Sequence, residues 1–251
     1  MITQLSLVLT LGWYDIRGRY RRSAIGPFWL TISMGVMIAS IGIVFGQIFN
    51  TPMEEYLPFL AAGIILWAFI TGTINEGCTG FIEAERMIKQ LPIPLFVHIL
   101  RVLWRNLLIL AHNILILPLV LLVVGKGIGL EALLAILGLL LVALCLSWLA
   151  FLFAMLCARY RDLAQIVASV LQVAFYVTPI IWMPSVLPDR MGATFLKFNP
   201  FYHLLEVIRA PLLGVVPSLT SWLVVLVIAI VGWGFTLLVF SRLRHRVAYW
   251  L

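Results

Sequence analysis

The chain has 251 residues, of which 63% are hydrophobic and 11% charged, with a formal net charge of +7 and a mean hydropathy of +1.12. These values exclude an ordinary soluble domain, in which about a quarter of residues are charged. The positive surplus raises nucleic acid as a partner, but it gathers at the edges of apolar runs, where anionic lipid is the nearer counter-charge.

The first element expected is an amphipathic helix over residues 5–22, which places Leu5, Leu9, Trp13, Ile16 and Tyr20 on one stripe with Arg17 and Arg21 off it. Such a helix lies in a membrane interface with its basic end towards lipid phosphates, and it serves equally as a topology anchor. Uncharged runs then lie between Arg22 and Glu54, Glu55 and Glu76, Arg105 and Lys126, Glu131 and Arg159, Asp162 and Asp189, and Arg209 and Arg242. A helix needs about 20 apolar residues to cross a hydrocarbon core of about 30 Å, so each run admits one crossing. The runs are continuously apolar instead of alternating, which selects helices over a closed barrel. The expected fold is an all-α polytopic membrane protein with six transmembrane helices, at about residues 29–49, 57–76, 104–124, 132–157, 164–183 and 219–240. The whole chain, 1–251, reads as a single transmembrane domain, with an interfacial segment at 1–27, a six-span body at 29–240 and a cytoplasmic tail at 241–251.

An even number of crossings puts both termini on one side. That side collects Arg17, Arg19, Arg21, Arg22, Arg86, Lys89, Arg101, Arg105, Arg159, Arg161, Arg242, Arg244 and Arg246, which is 13 of the 17 Lys and Arg residues. By the positive-inside rule both termini are expected in the cytoplasm. Residues 1–12 lack a basic start, so no cleavable leader is expected.

Two loops are long. Residues 78–94, CTGFIEAERMIKQLPIP, surround Met87, Ile88 and Leu91 with Glu83, Glu85, Arg86 and Lys89, and end at Pro92 and Pro94. A short helix here shows one apolar stripe suited to a groove on a cytoplasmic partner, or serves as a plain connector. Residues 184–218 are apolar but broken by Pro184, Pro188, Pro200, Pro211 and Pro217, which fits two short helices divided at Asn199-Pro200. Irregular backbone at membrane depth is tolerated only where protein or a watery cavity covers it, so this segment is a candidate outer gate, or a pair of interfacial helices holding the last two spans.

Chemistry is scarce. The Gly125-Lys126 pair is followed by Gly127 and preceded by Val120 where a phosphate-binding loop needs glycine, so this chain is not expected to hydrolyse ATP. His98, His112, His203 and His245 are dispersed, and Cys78, Cys145 and Cys157 lack metal-ligand spacing and read as packing residues. Glu76 and His112, the ionisable groups within spans, read as hydrogen-bonded packing residues. Gly42-x-x-x-Gly46 offers a close helix contact. Trp29, Trp67, Trp104, Trp148, Trp182 and Trp222 fit an interfacial belt. Phe45, Phe49, Phe175, Tyr176 and Trp182 lie in or near the outer halves of spans one and five. Their flat faces can stack on sugar rings and let them slide, or simply pack.

The stretch Asp15 to Trp29, DIRGRYRRSAIGPFW, with Phe45 and Phe49, Arg161-Asp162-Leu163, Thr178-Pro179-Ile180, and Asn199-Pro200-Phe201 with Arg209, resembles the membrane subunits of ABC exporters for bacterial polysaccharides, nearest the O-antigen branch. Met34 stands where that family would place a proline. The resemblance implies a homodimer in the bacterial inner membrane with two copies of a separate ATP-binding cassette protein, which binds ATP and Mg; this chain carries no cofactor. It implies a coupling helix at Glu83, Glu85, Arg86 and Lys89, periplasmic gate helices at Asn199, Pro200, Phe201 and Arg209, and a conduit along spans one and five. The cargo implied is polysaccharide on undecaprenyl pyrophosphate, whose head Arg17, Arg19, Arg21 and Arg22 would recruit through forked guanidinium bonds. A small-molecule exporter of the same fold and a membrane transferase acting on lipid-linked sugar are the alternatives.

Overall fold

The computed structural model describes residues 2–20, 28–49, 51–91, 93–186 and 196–251, without the side chains of 2–5, 16, 19, 20 and 186. Among the described residues the regular structure is entirely helical. The elements are α1 Ile2–Tyr20, α2 Phe28–Ile48, α3 Met53–Glu83, α4 Glu85–Gln90, α5 Leu95–Asn113, α6 Ile116–Val123, α7 Ala132–Arg159, α8 Leu163–Val177, α9 Pro200–Leu212 and α10 Leu219–Trp250, with a 3-10 turn at Pro184–Val186. Among the described residues five rods are long and apolar enough to cross a membrane: α2, α3, α5 with α6, α7 and α10. The expected span at 164–183 is instead a 15-residue helix, α8, followed by irregular chain.

The core is built around α3, which is buried along most of its length between α7, α5 and α2. Its neighbours approach through small residues. A Cβ on Gly42 would fall 2.6 Å from Leu57, and one on Gly77 would fall 2.7 Å from Ala150, so the Gly42/Gly46 face seats α2 on α3 and Gly77 seats α7. With lipid as solvent, close van der Waals contact of this kind does much of what water exclusion does in a soluble core. Cys78, Cys145 and Cys157 are buried there as free thiols.

Several helices outrun the uncharged runs. The span expected at 104–124 starts at Leu95, so the long loop expected at 77–103 shrinks to α4 and a brief connector. Ile99, Val102 and Leu103 are buried on one side of α5, and the charges of Arg101 and Arg105 are paired, so neither arginine has to end the helix. Pro118 lacks the N–H that would bond to Ile114, and the rod breaks there: the freed Ile114 carbonyl accepts from Leu117 at 3.0 Å. At the other end of the chain α10 continues through Arg242, Arg244 and Arg246 to Trp250, with Val247 fully buried in a cluster shared with α7. The tail expected at 241–251 is thus almost wholly helical. No kink is needed at Met34, since α2 runs unbroken from Phe28 to Ile48.

Candidate functional site

Two polar clusters stand at opposite ends of this apolar bundle. The first forms at the end rich in arginine. α1 packs on α5 through Val8 and Gly12, both buried, with Gly12 close against Trp104. One turn further, Asp15 accepts two bonds from Arg101 and lies 3.6 Å from Arg105. Arg105 in turn donates to Glu76 of α3 at 2.8 and 3.0 Å, and Asn106 donates to the same carboxylate oxygen at 2.6 Å. Glu76 is therefore hydrogen-bonded, and the charges alternate across three helices, which offsets the cost of holding them partly out of water. Of the expected apolar stripe of α1, Leu9 and Trp13 are exposed, and the side chains of Leu5, Ile16 and Tyr20 lie outside the described residues. Arg17 is exposed on the same helix, while Arg21 and Arg22 and the side chain of Arg19 lie outside the described residues.

α3 leads directly into α4, the short helix expected near Glu83 to Leu91. Glu83 accepts from the Thr79 hydroxyl at 2.8 Å, and Lys89 pairs with Glu85 at 2.8 Å across one turn. The Lys89 ammonium holds the Glu85 carboxyl below its ordinary range. Arg86, Lys89 and Leu91 are exposed, so α4 presents a mixed charged and apolar surface beyond the bundle.

The second cluster gathers residues that are far apart in the chain. After α8 the backbone extends at Thr178 and tightens at Pro179, where Ile180 N–H bonds to Thr178 O at 2.8 Å. Gly63 of α3 lets Ile180 approach, since a Cβ there would stand 3.3 Å from the Ile180 carbonyl oxygen. Arg209 donates to Pro179 O at 2.6 Å and to Glu206 at 2.9 Å, and its guanidinium stacks 4.0 Å from the Phe59 ring centroid. Tyr56 donates to Ile181 O at 2.7 Å. Asn199 donates to Thr178 at 3.0 Å and caps α9 by accepting from Phe201 and Tyr202 N–H, with Pro200 at the first helical position where its missing N–H costs nothing. Thr178-Pro179-Ile180, Asn199-Pro200-Phe201 and Arg209 thus form one knot. Tyr56 and Phe59 belong to it too, and nothing in their sequence surroundings marks them out, because their partners are a backbone carbonyl and a distant arginine.

The aromatic residues form two groups joined at this knot. Phe45 and Phe49 stack at 5.7 Å, and Phe49 meets Tyr56 edge-on at 6.1 Å. Phe175 contacts Tyr176 at 5.3 Å and Trp67 at 6.0 Å, and Trp67 meets Phe201 at 5.3 Å. Trp182 donates to the Tyr176 carbonyl at 3.0 Å and so folds the chain after α8 back on its end. Tyr176 itself is exposed.

Comparison with known proteins agrees with this architecture. The chain is 23% identical over 214 residues to the O-antigen export system permease protein RfbA of Myxococcus xanthus, covering 81% of this chain and 79% of that one. It is 22% identical over 243 residues to the protein of the same description from Klebsiella pneumoniae, covering 93% and 90%. Residues 6–213, from α1 through α9, match the ABC-2 type transporter family, and the chain belongs to that family.

Proposed function

We propose that this chain is the membrane subunit of an exporter that carries undecaprenyl-pyrophosphate-linked O-antigen or a related polysaccharide from cytoplasm to periplasm. ABC-2 family membership implies an ATP-binding partner subunit. Two copies of that partner would drive two copies of this chain. The observation that carries the sugar reading is the aromatic cluster around the polar knot, where exposed Tyr176 and half-buried Phe45, Phe49 and Phe175 gather at the end of the bundle opposite the Asp15 cluster. Stacked C–H contacts hold a sugar ring without strong directional bonds, which is what a sliding polymer needs. The relatives named for O-antigen export support the same cargo.

Six crossings follow if α8 and the chain after it act together. Fifteen helical residues rise about 22 Å against a core of about 30 Å, so the bent chain after α8 has to cover the remainder. Such a broken span is tolerable in lipid only when its backbone groups have partners. Here Thr178, Pro179 and Ile181 carbonyls accept from Ile180, Arg209 and Tyr56. In this reading the knot is the hinge of a periplasmic gate, α4 is the coupling helix that docks on the ATPase, and both termini are cytoplasmic. The exposed stripe Ile166, Val170, Val173 and Tyr176 on α8, and the sparsely buried α2, suit lipid and a second copy of the chain.

The test is export in cells that lack the subunit but make its ATPase partner and the lipid-linked polymer. Supplying the chain should bring polymer to the outer face. Polymer that stays inside while the complex assembles would overturn the reading.

A further inference from the structure

At the arginine-rich end a cleft of about 40 Å³ opens between α3 and α5, lined by Gly80, Glu83, His98, Arg101 and Arg105. His98, Arg101 and Arg105 lie at i, i+3 and i+7 and so project from one face of α5. Gly80 leaves room opposite them, its absent Cβ standing 3.4 Å from Ile99 and Val102. His98 is only 2% exposed, yet neither of its ring nitrogens has a hydrogen-bond partner among the described residues. A buried imidazole left in that state costs free energy that a ligand oxygen would recover.

The forked donors beside it are occupied by a carboxylate from another helix. Asp15 of α1 takes both Arg101 bonds and lies near Arg105, which also holds Glu76. Carboxylate and phosphate present the same spacing of oxygens to a guanidinium, so Asp15 occupies a position that suits either anion. A phosphate carries an additional oxygen and more charge than Asp15, and the unpartnered His98 imidazole lines the same cleft. The rim carboxylate of Glu83 is turned to Thr79 and exposed, where solvent screens it.

We propose that His98, Arg101 and Arg105 form a phosphate-binding cleft for the pyrophosphate head of the lipid-linked cargo, and that the head displaces Asp15 and so frees α1 from α5. The proposal rests on the transport reading above and moves head-group recognition inward from Arg17, Arg19, Arg21 and Arg22 to the arginines that Asp15 now holds. Displacing Asp15 perturbs the ion pairs that connect it through Arg105 to Glu76, less than two turns before α3 reaches Glu83 and α4. Arrival of cargo would thereby be felt at the helix that meets the ATPase.

The test uses the full-length subunit assembled with its ATPase partner in nanodiscs of zwitterionic lipid, with farnesyl pyrophosphate as probe and farnesol and phosphatidylglycerol as controls. Binding is measured directly, and release of α1 by hydrogen exchange over residues 6–18. Farnesyl pyrophosphate should bind and raise exchange in α1, and neither control should match it. Arg101→Gln should weaken binding at least about tenfold, whereas Asp15→Asn, which removes the competing anion, should tighten it about tenfold. Opposite signs are the signature, because a purely structural ion pair would suffer from both changes. Unchanged or weaker binding by Asp15→Asn overturns the proposal, and that arm keeps its force if Arg101→Gln fails to assemble. An equal response to phosphatidylglycerol would assign the cleft to bulk lipid and overturn the cargo assignment. Normal polymer export without farnesyl pyrophosphate binding would remove the cleft and leave the transport reading intact.

Discussion

Arg209 is 2% exposed, and its guanidinium serves three neighbours at once: one nitrogen bonds Pro179 O, another Glu206, and the plane lies on Phe59. An ammonium cannot reproduce that. Lysine is a point charge that would satisfy one acceptor and lose the stacking, so Arg209→Lys should lower stability by about 1–3 kcal/mol. Arg209→Met leaves Glu206 uncompensated and Pro179 O without a donor, and should cost about 3 kcal/mol or more. Tyr56→Phe removes one donor from Ile181 O and should cost about 1 kcal/mol, the scale of interhelical hydrogen bonds in membranes. Thermal unfolding of the purified subunit in detergent reads all three, and equal midpoints for wild type and Arg209→Met would show that the knot does not hold the gate segment. Arg209, Asn199 and Thr178 stood out in the sequence as landmarks of a resemblance, but their purpose did not. A backbone carbonyl accepts a bond whatever residue carries it, so the partnership of Arg209 with Pro179 and of Tyr56 with Ile181 leaves no trace in residue type.

At the scale of elements, the uncharged runs located every long helix but misjudged where several of them end. Treating each charge as a boundary fails when its counter-charge is supplied from elsewhere: Arg101 and Arg105 sit well inside α5 because Asp15, 86 residues before Arg101, and Glu76 neutralise them. α8 erred the other way, since its run is apolar throughout yet the helix stops at Val177, with the next backbone groups taken over by the knot. α4 was legible because its charges are local. Lys89 and Glu85 lie one turn apart, and the prolines that follow forbid continuation. Its exposed surface carries no structural duty that the bundle needs, so Arg86→Glu should leave the subunit folded while reducing recovery of the ATPase partner by about tenfold, a loss of about 1.4 kcal/mol. Co-purification checks it, and undiminished recovery with normal export would place the ATPase contact on another element.

For the whole molecule the decisive quantity is the parity of crossings, and it turns on α8 alone. The other five rods are long enough by themselves. If α8 and residues 178–183 cross, the chain is inside at 88, outside at 127, inside at 161, outside at 216 and inside at its C-terminus. If α8 only dips in and returns, the last two positions exchange sides and α10 runs the opposite way, carrying Arg242, Arg244 and Arg246 to the outer face against the positive-inside bias. The packing of α7 adds a constraint. α10 lies along α7, and the Trp250 ring lies 5.2 Å from the Arg159 guanidinium, so the C-terminal end of α10 shares a level with the C-terminal end of α7. Two helices aligned in the same direction, joined through a crossing α8 and the buried α9, need an odd number of crossings between them, and α8 supplies it. Alkaline phosphatase fused after Val216 should therefore be active, and fusions after Ile88, Arg161 and Leu251 inactive. Activity at Leu251 together with silence at Val216 would reduce the crossings to five, place the termini on opposite sides, and remove the geometric basis for a gate at the knot.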